Sequence, residues 1–194
     1  MEEVTMANKV LMGFSDLYVG TYTVTNGTVT LGNPYHQAGA VGFSPEPQGD
    51  ENTFYADNVG YYTSYSGGTR QGDLEVAMFD DAFKTQFLGY RETADGGLAE
   101  IKNATKPSIY AMWEVQGDAE ARRVIMYNGT LGDINREYST LEDTKEPVTE
   151  TLPATFVGDN ATGITIAQYK PGDAGYDTLF TSPPVPQLAQ EESS

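Results

Sequence analysis

The feature that most constrains this chain is the alternation of apolar and polar residues with a period of two. Residues 17–24 (LYVGTYTV) and 29–31 (VTL) show this pattern on either side of Asn26-Gly27. Alternating residues place successive side chains on opposite faces of a strand. An Asn-Gly pair tolerates the positive φ angles of a type I′ turn. The segment therefore predicts a β-hairpin.

The same alternation recurs further along the chain. Gly67-Gly68 is expected to turn the strand of residues 59–65 into the next strand, where apolar residues at 74, 76 and 78 alternate with Asp73, Glu75 and Ala77. Residues 108–116, 121–128 and 163–169 continue the pattern, and Trp113 shares one face with its apolar neighbours two positions away. These segments predict half-buried strands, with Trp113 in the core and the acidic residues toward water.

One short segment has the pattern of a helix instead. Asp80 and Asp81 suit a helix N-terminus, Phe83 and Phe87 lie about one turn apart, and Gly89 is a typical stop. The sequence predicts one helix near Asp80–Leu88. Because a two-turn helix is unstable alone, we expect Phe83 and Phe87 to pack it against the sheet.

Two segments lack periodicity. Residues 32–52 are rich in glycine and proline and predict a long loop, whereas residues 181–194, rich in Pro, Ser and Glu, predict a flexible tail. With no linker in the middle, the chain is expected to form a single domain over residues 1–180. Overall it should be mainly β.

Composition excludes several classes of function. The 194 residues carry a formal charge of −17 and the acidic residues are spread along the chain, so direct binding of nucleic acid is disfavoured. Cysteine is absent, which removes disulfides and thiolate metal sites. The sequence has no apolar run of membrane-spanning length and no signal-peptide pattern, so we expect synthesis in a cytoplasm and no membrane partner.

The sequence carries no recognisable catalytic or metal-binding pattern. The single histidine, His36, lies in the Gly/Pro-rich segment without a second histidine, and Ser44 lacks the second glycine of a nucleophile elbow. Phosphate-binding glycine motifs are also missing. We therefore expect no enzyme activity, no cofactor, no metal and no small-molecule substrate.

Four segments, in their order along the chain, resemble the major tail protein (tail tube protein) family of long-tailed siphovirus bacteriophages. They are KVLMGFSDLYVGTYT, then ENTFYADNVGYYTSYSGG, then QGDLEVAMFDDAFKTQFLGY, and finally the block from YAMWEVQGD to ETLPATF. The similarity covers roughly residues 8–169 and rests on order and spacing, since this family has no catalytic motif.

The resemblance implies a fold and a role. The fold would be two packed antiparallel sheets, a tail-tube-type β-sandwich or barrel, with a flanking helix and long loops or arms. Six copies would form a ring, and stacked rings would form a tube in the virion tail, assembled in the host cytoplasm. Other tail proteins would bind the tube ends, and DNA would pass through without specific binding.

In such a tube the bore would be lined by acidic and neutral polar residues. Asp73 and Glu75 are the candidate lumen-facing acids, because they alternate with the apolar Leu74 and Val76. Two alternatives remain open on the sequence: a carbohydrate-binding β-sandwich adhesin module, and another virion component such as a tail completion or baseplate protein.

Overall fold

The structure is a computed structural model that describes residues 11–49, 51–56, 59–65, 67–117, 119–138 and 148–189. In this part of the chain, strands predominate and one helix is present. The strands are β1 (Leu11–Thr25), β2 (Thr28–Leu31), β3 (Tyr35–Gln37), β4 (Ala40–Phe43), β5 (Glu46–Gln48), β6 (Glu51–Ala56), β7 (Val59–Tyr65), β8 (Thr69–Val76), β9 (Arg91–Glu92), β10 (Leu98–Ala99), β11 (Ile109–Gly117), β12 (Arg122–Leu131), β13 (Glu150–Phe156) and β14 (Ile166–Tyr169), and the helix is α1 (Asp81–Leu88).

Ten strands form one antiparallel sheet. Its order is β2-β1-β11-β12-β13-β8-β4, with β14 added to β12, β3 added to β1 and β5 added to β8. The pairs β6-β7 and β9-β10 form two small separate sheets. The prediction of a mainly β fold with one short helix is confirmed. The prediction of two packed sheets differs from the observed arrangement.

The single sheet arises because β12 is long enough to pair with β11 on one edge and with both β13 and β14 on the other. Its strands curl so that β4 lies near β1, which encloses a core without a second sheet. Within the described strands no ladder joins β4 to β1. The sheet therefore does not close into a barrel.

The predicted N-terminal hairpin is confirmed. Strands β1 and β2 pair from Tyr22 with Leu31 to Thr25 with Thr28. Asn26 and Gly27 form the turn with φ angles of 52° and 79°, the left-handed values that the sequence predicted.

The prediction of a long loop over residues 32–52 is wrong for much of the segment that the structure describes, residues 32–49 and 51–52. Three short strands lie there: β3 pairs with β1, while β4 and β5 pair with β8. Each is only three or four residues long, so a period-two pattern has no room to develop. Pro47 is compatible with β5 because an edge strand can lack one backbone donor.

Two further expectations are corrected around β7 and β8. Strand β7 pairs with β6 and not with the strand that follows Gly67-Gly68. Met78 is 65% exposed although it shares the parity of the buried Leu74 and Val76. The strand ends at Val76, so the alternation stops there and Phe79 is buried instead.

Apolar residues cover both faces of the sheet. The main core lies on the concave face and includes Trp113, as predicted, together with Phe83 and Phe87 of the helix. A second core on the convex face of β1, β11 and β12 is built from Tyr22, Tyr110, Met112, Ile125, Tyr127 and Leu179. Strand β11 therefore lies between the two cores, with buried apolar residues on both of its faces.

Three buried tyrosines of the second core use their hydroxyl groups as donors. Tyr22 donates to Asp159 at 2.7 Å, Tyr110 to the carbonyl of Gly32 at 2.6 Å, and Tyr127 to the carbonyl of Pro184 at 2.9 Å. Burial raises the pKa of all three hydroxyls. Unfolded tyrosines ionise near pH 10, whereas these remain protonated in the fold.

We therefore expect stability to fall as the pH rises above about 10, because the unfolded chain releases protons that the folded chain keeps. The loss should approach about 1.4 kcal/mol per pH unit for each such tyrosine, between the pKa of the unfolded chain and that of the folded chain. Thermal melts at several alkaline pH values would measure it. Tyr110→Phe should flatten the dependence, while Tyr138→Phe, at a position 86% exposed, should leave it unchanged. Equal slopes for both variants would contradict the expectation.

Candidate functional surface

The described residues offer little for catalysis. Among them, no group of three or more His, Asp or Glu side chains is arranged to hold a metal ion. His36 is exposed, with its Nε2 4.0 Å from an oxygen of Asp16 and its ring 4.7 Å from that of Tyr18. In the described part of the chain, no helix has the length and apolar character needed to cross a bilayer.

Two hollows on the described surface are open and partly polar. One of about 470 Å³ is lined by the turn from Glu100 to Lys106 and by Asp133, where Lys106 is already paired with Asp133. Another, of about 330 Å³, lies between Thr69-Arg70 and Ile164–Ile166. Neither brings together a nucleophile and a base in the arrangement that covalent catalysis needs.

The helix holds one end of the sheet through the predicted phenylalanines. Asp80 accepts a hydrogen bond from the backbone N–H of Phe83 at 2.7 Å, and Gly89 ends the helix at φ 72°. Phe83 and Phe87 are both 0% exposed, and their rings lie 5.0 Å apart. Tyr35 on β3 packs against both rings.

Tyr35 also ties the first turn of the helix to the sheet. Its hydroxyl donates to both carboxylate oxygens of Asp80 at 2.7 Å. Burial, with the hydrogen bond to Asp80, raises the pKa of Tyr35 to about 12. The capping carboxylate therefore stabilises the helix and the β3 contact together.

The predicted lumen-facing acids lie on the convex face of β8. Asp73 is exposed and stands opposite Pro153 of β13, and Glu75 is half-buried opposite Thr151. The side chain of Thr149 donates to Glu75. Their neighbours Leu74 and Val76 point into the main core, so the alternation was assigned to the correct faces.

The register of the neighbouring strands extends this surface, which we call the polar face. In antiparallel strands, residues directly opposite each other share a face. Glu46 thus joins Gln71, Thr155 and Thr130 in one row, and Gln48 joins Thr69. The polar face comprises Glu46, Gln48, Thr69, Gln71, Asp73, Glu75, Thr130, Thr151, Pro153 and Thr155. These positions include three carboxylates and no lysine or arginine.

Several strands have an edge available for pairing. In the described part of the chain, β2 pairs only with β1, β14 only with β12, and β4 and β5 only with β8. Among the described strands, β6 and β7 pair only with each other, and they lie in the chain between Gln48 and Thr69, which are opposite each other in the large sheet. Free edges of this kind invite pairing with other chains.

The sequence did not reveal how the C-terminal part covers the second core. Leu179 is 0% exposed, and the ring of Phe180 stacks on Tyr18 at 4.7 Å. The guanidinium of Arg123 lies over the rings of Tyr176 and Phe180 at 4.3 and 4.6 Å. The only available signal was the cluster of aromatic residues within a stretch rich in turn residues, which has no periodicity.

A buried carboxylate was missed for the same reason. Asp159 is 4% exposed and accepts hydrogen bonds from Tyr22 and from the hydroxyl and backbone N–H of Thr162. Burial by itself would raise the pKa of Asp159, but these hydrogen bonds hold it below its usual value. Asp159 thereby fixes the turn at 158–163 against β1, a structural role.

The predicted tail begins beside this region. The division at residue 181 stays a prediction, and residues 190–194 lie outside the described part of the chain. Within residues 181–189, Pro186 is buried and the carbonyl of Pro184 accepts the hydrogen bond from Tyr127.

Residues 2–159 match a family described as "Phage tail tube protein". No curated protein matches the chain. The anti-feeding prophage cap (AFP tube terminating cap) is similar at 12% identity and a TM-score of 0.43, over 88% of this chain and 99% of that one. The PVC sheath/tube terminator of an extracellular contractile injection system, in its extended state, is similar at 10% identity and a TM-score of 0.41, over 79% of this chain and 93% of that one.

Proposed function

Because the chain belongs to the phage tail tube protein family, we propose that copies of it assemble as stacked hexameric rings into the tube through which phage DNA passes. The family is structural and not enzymatic, and it places the protein in the tail of the virion. The finer assignment, to a long-tailed siphovirus and a six-fold ring, belongs to the proposal.

The polar face is the observation that carries the proposal. A conduit for DNA needs a wall that does not bind phosphate, and like charge on the wall supplies that property. The polar face offers Glu46, Asp73 and Glu75 among neutral polar groups and bears no cationic side chain at its positions. It lies on the side of β8 and β13 that faces away from the main core, and all its positions are exposed or half-buried. It is therefore the part of the sheet suited to line a bore.

The free strand edges support assembly. Pairing between neighbouring subunits would satisfy the backbone groups along these edges and remove the aggregation hazard of an open sheet. The β6-β7 hairpin extends this argument, because it makes its own ladder and leaves its outer edges available. We assign it to contacts with a neighbouring subunit in the tube.

A sugar-binding role receives no support from the sole tryptophan. Trp113 is 5% exposed and packs in the main core against Phe43, with ring centroids 5.4 Å apart. It is therefore not available to stack on a carbohydrate.

Negative-stain electron microscopy of the purified protein tests the proposal. We expect tubes, or rings with six-fold symmetry, at high protein concentration. A protein that stays monomeric at every concentration and salt tested would contradict it. Rings that never stack would favour a role at one end of the tube.

Removal of the β6-β7 hairpin tests its proposed role in assembly. Replacing residues 50–66 with a short Gly-Ser linker should leave the large sheet intact, because Gln48 and Thr69 are opposite each other in the ladder. Such a subunit should be folded by circular dichroism but form no tubes. A matched control replaces the turn 93–97 of the β9-β10 hairpin in the same way and should assemble normally. Normal tubes from the first variant would show that the β6-β7 hairpin takes no part in assembly.

A further inference from the structure

The convex face of β1, β11 and β12 is apolar, and a segment outside the family match covers it. The match ends at residue 159, whereas the covering residues 171–189, which we call the strap, follow later in the chain. The strands below the strap all lie within the match. The matched part of the chain therefore presents an apolar sheet face that another element must cover.

The strap is organised as a unit of its own. Its backbone hydrogen bonds run between near neighbours, for example from Tyr176 to the carbonyl of Asp173 at 2.9 Å and from Ser182 to the carbonyl of Thr178 at 2.7 Å. It does not extend the ladder of the sheet. It can therefore leave the sheet without breaking strand pairing.

Side chains attach the strap to the sheet. Leu179 is 0% exposed in the second core, and Phe180 stacks on Tyr18 with an angle of 16° between the rings. Tyr127 donates to the carbonyl of Pro184. Loss of the strap would uncover apolar groups and leave the hydroxyl of Tyr127 without this acceptor.

Arg123 fastens the strap through several contacts at once. Its Nη1 donates to the carbonyl of Tyr176 at 2.6 Å, and its guanidinium lies over the rings of Tyr176 and Phe180. Its Nε is 3.1 Å from a carboxylate oxygen of Glu114 on the neighbouring strand. A guanidinium held between a carboxylate and two aromatic rings is a suitable latch, since it forms ionic, hydrogen-bond and cation–π contacts together.

The strap also changes the character of the surface it covers. It contains Asp173 and Asp177 and no lysine or arginine, so it adds negative charge above an apolar face. Like charges on neighbouring copies repel, whereas large exposed apolar patches associate.

We infer that the strap, latched by Arg123, is a permanent cover that stops subunits from associating through the apolar convex face of β1, β11 and β12. It restricts self-association to the strand edges and the β6-β7 hairpin. The strap stays docked during assembly. This inference rests on the proposed self-assembly only for its second readout, the formation of ordered tubes.

Two variants test the strap: one is designed to release it, and the other is its matched control. Leu179→Asp places a charge at a fully buried position, and Leu188→Asp places the same charge on the same segment at a position 63% exposed. Leu179→Asp should increase binding of an apolar-sensitive dye several-fold and form irregular aggregates, while Leu188→Asp behaves as the unmodified protein. Arg123→Gln should give an intermediate increase without placing a charge in the core. Unchanged dye binding in both Leu179→Asp and Arg123→Gln would overturn the inference.

A second experiment fixes the strap to the sheet with a covalent crosslink. The chain has no cysteine, so Tyr18→Cys with Phe180→Cys provides two unique thiols at stacked positions. A short bifunctional maleimide joins them, and the same variant with each thiol capped separately is the control. The joined protein should assemble as the unmodified protein does, whereas the capped one should bind dye and aggregate. Failure of only the joined protein to assemble would show that the strap must leave.

The two proposals can fail separately. If the unmodified protein forms neither rings nor tubes, the proposed function fails, but dye binding and irregular association still test the strap. If tubes form and the released variants assemble as well as the unmodified protein, only the strap inference fails.

Discussion

Replacing Phe87 with alanine should lower the melting temperature of the subunit markedly. The ring is 0% exposed and contacts Phe83 and Tyr35, so its removal leaves a cavity in the main core. Loss of a buried phenylalanine costs about 3–5 kcal/mol, a large part of the stability of a domain of this size. Helix α1 has two turns and depends on this packing, because so short a helix is unstable alone.

The matched control is Gln86→Ala, on the same helix at an exposed position. It removes a side chain without opening a cavity and should change stability by less than about 0.5 kcal/mol. Denaturant titrations followed by circular dichroism measure both variants. A melting temperature for Phe87→Ala within error of the unmodified protein would mean that the helix does not anchor the sheet.

Local sequence signals predicted the elements that depend on local chemistry. The β1-β2 hairpin follows from Asn26-Gly27, and the helix boundaries follow from Asp80 and Gly89, since each of these residues satisfies a backbone requirement at its own position. The period-two alternation alone predicted that Trp113 lies in the core, and its side chain is buried there at 5% exposure.

Elements that depend on distant partners were not predictable in this way. Strands β3, β4 and β5 are too short to show a period and exist because β1 and β8 offer edges to pair with. The burial of Leu179 likewise depends on a sheet face formed much earlier in the chain. The period-two alternation also gave the wrong face for Met78, because the strand ends two residues before it.

The candidate bore residues illustrate both cases. Alternation with Leu74 and Val76 identified Asp73 and Glu75 from the sequence. The remaining members of the polar face, such as Glu46 and Thr155, join them only through the strand register. Period-two reasoning can assign a residue to a face, but it cannot state which strands share that face.

Reversing both candidate acids, with Asp73→Lys and Glu75→Lys, should leave the subunit folded but slow the ejection of DNA about tenfold or more, if the polar face lines the bore. Asp73 is exposed and Glu75 half-buried, so neither lysine enters the core. Repeated around each ring and along the stack, the new cations would bind phosphate at many points. Such binding weakens steeply with salt, so ejection should recover as the ionic strength rises.

A matched double reversal distinguishes the bore from general charge. Glu92→Lys with Asp95→Lys gives the same change in net charge at exposed positions of the β9-β10 hairpin, outside the polar face. These virions should eject DNA at the normal rate. Equal slowing by both pairs would attribute the effect to total charge. Normal ejection from particles carrying Asp73→Lys and Glu75→Lys, with both positions seen in the bore, would show that the charge of the wall does not control passage. If a tube structure instead placed the polar face on the outside, the bore would have to be lined by other strands.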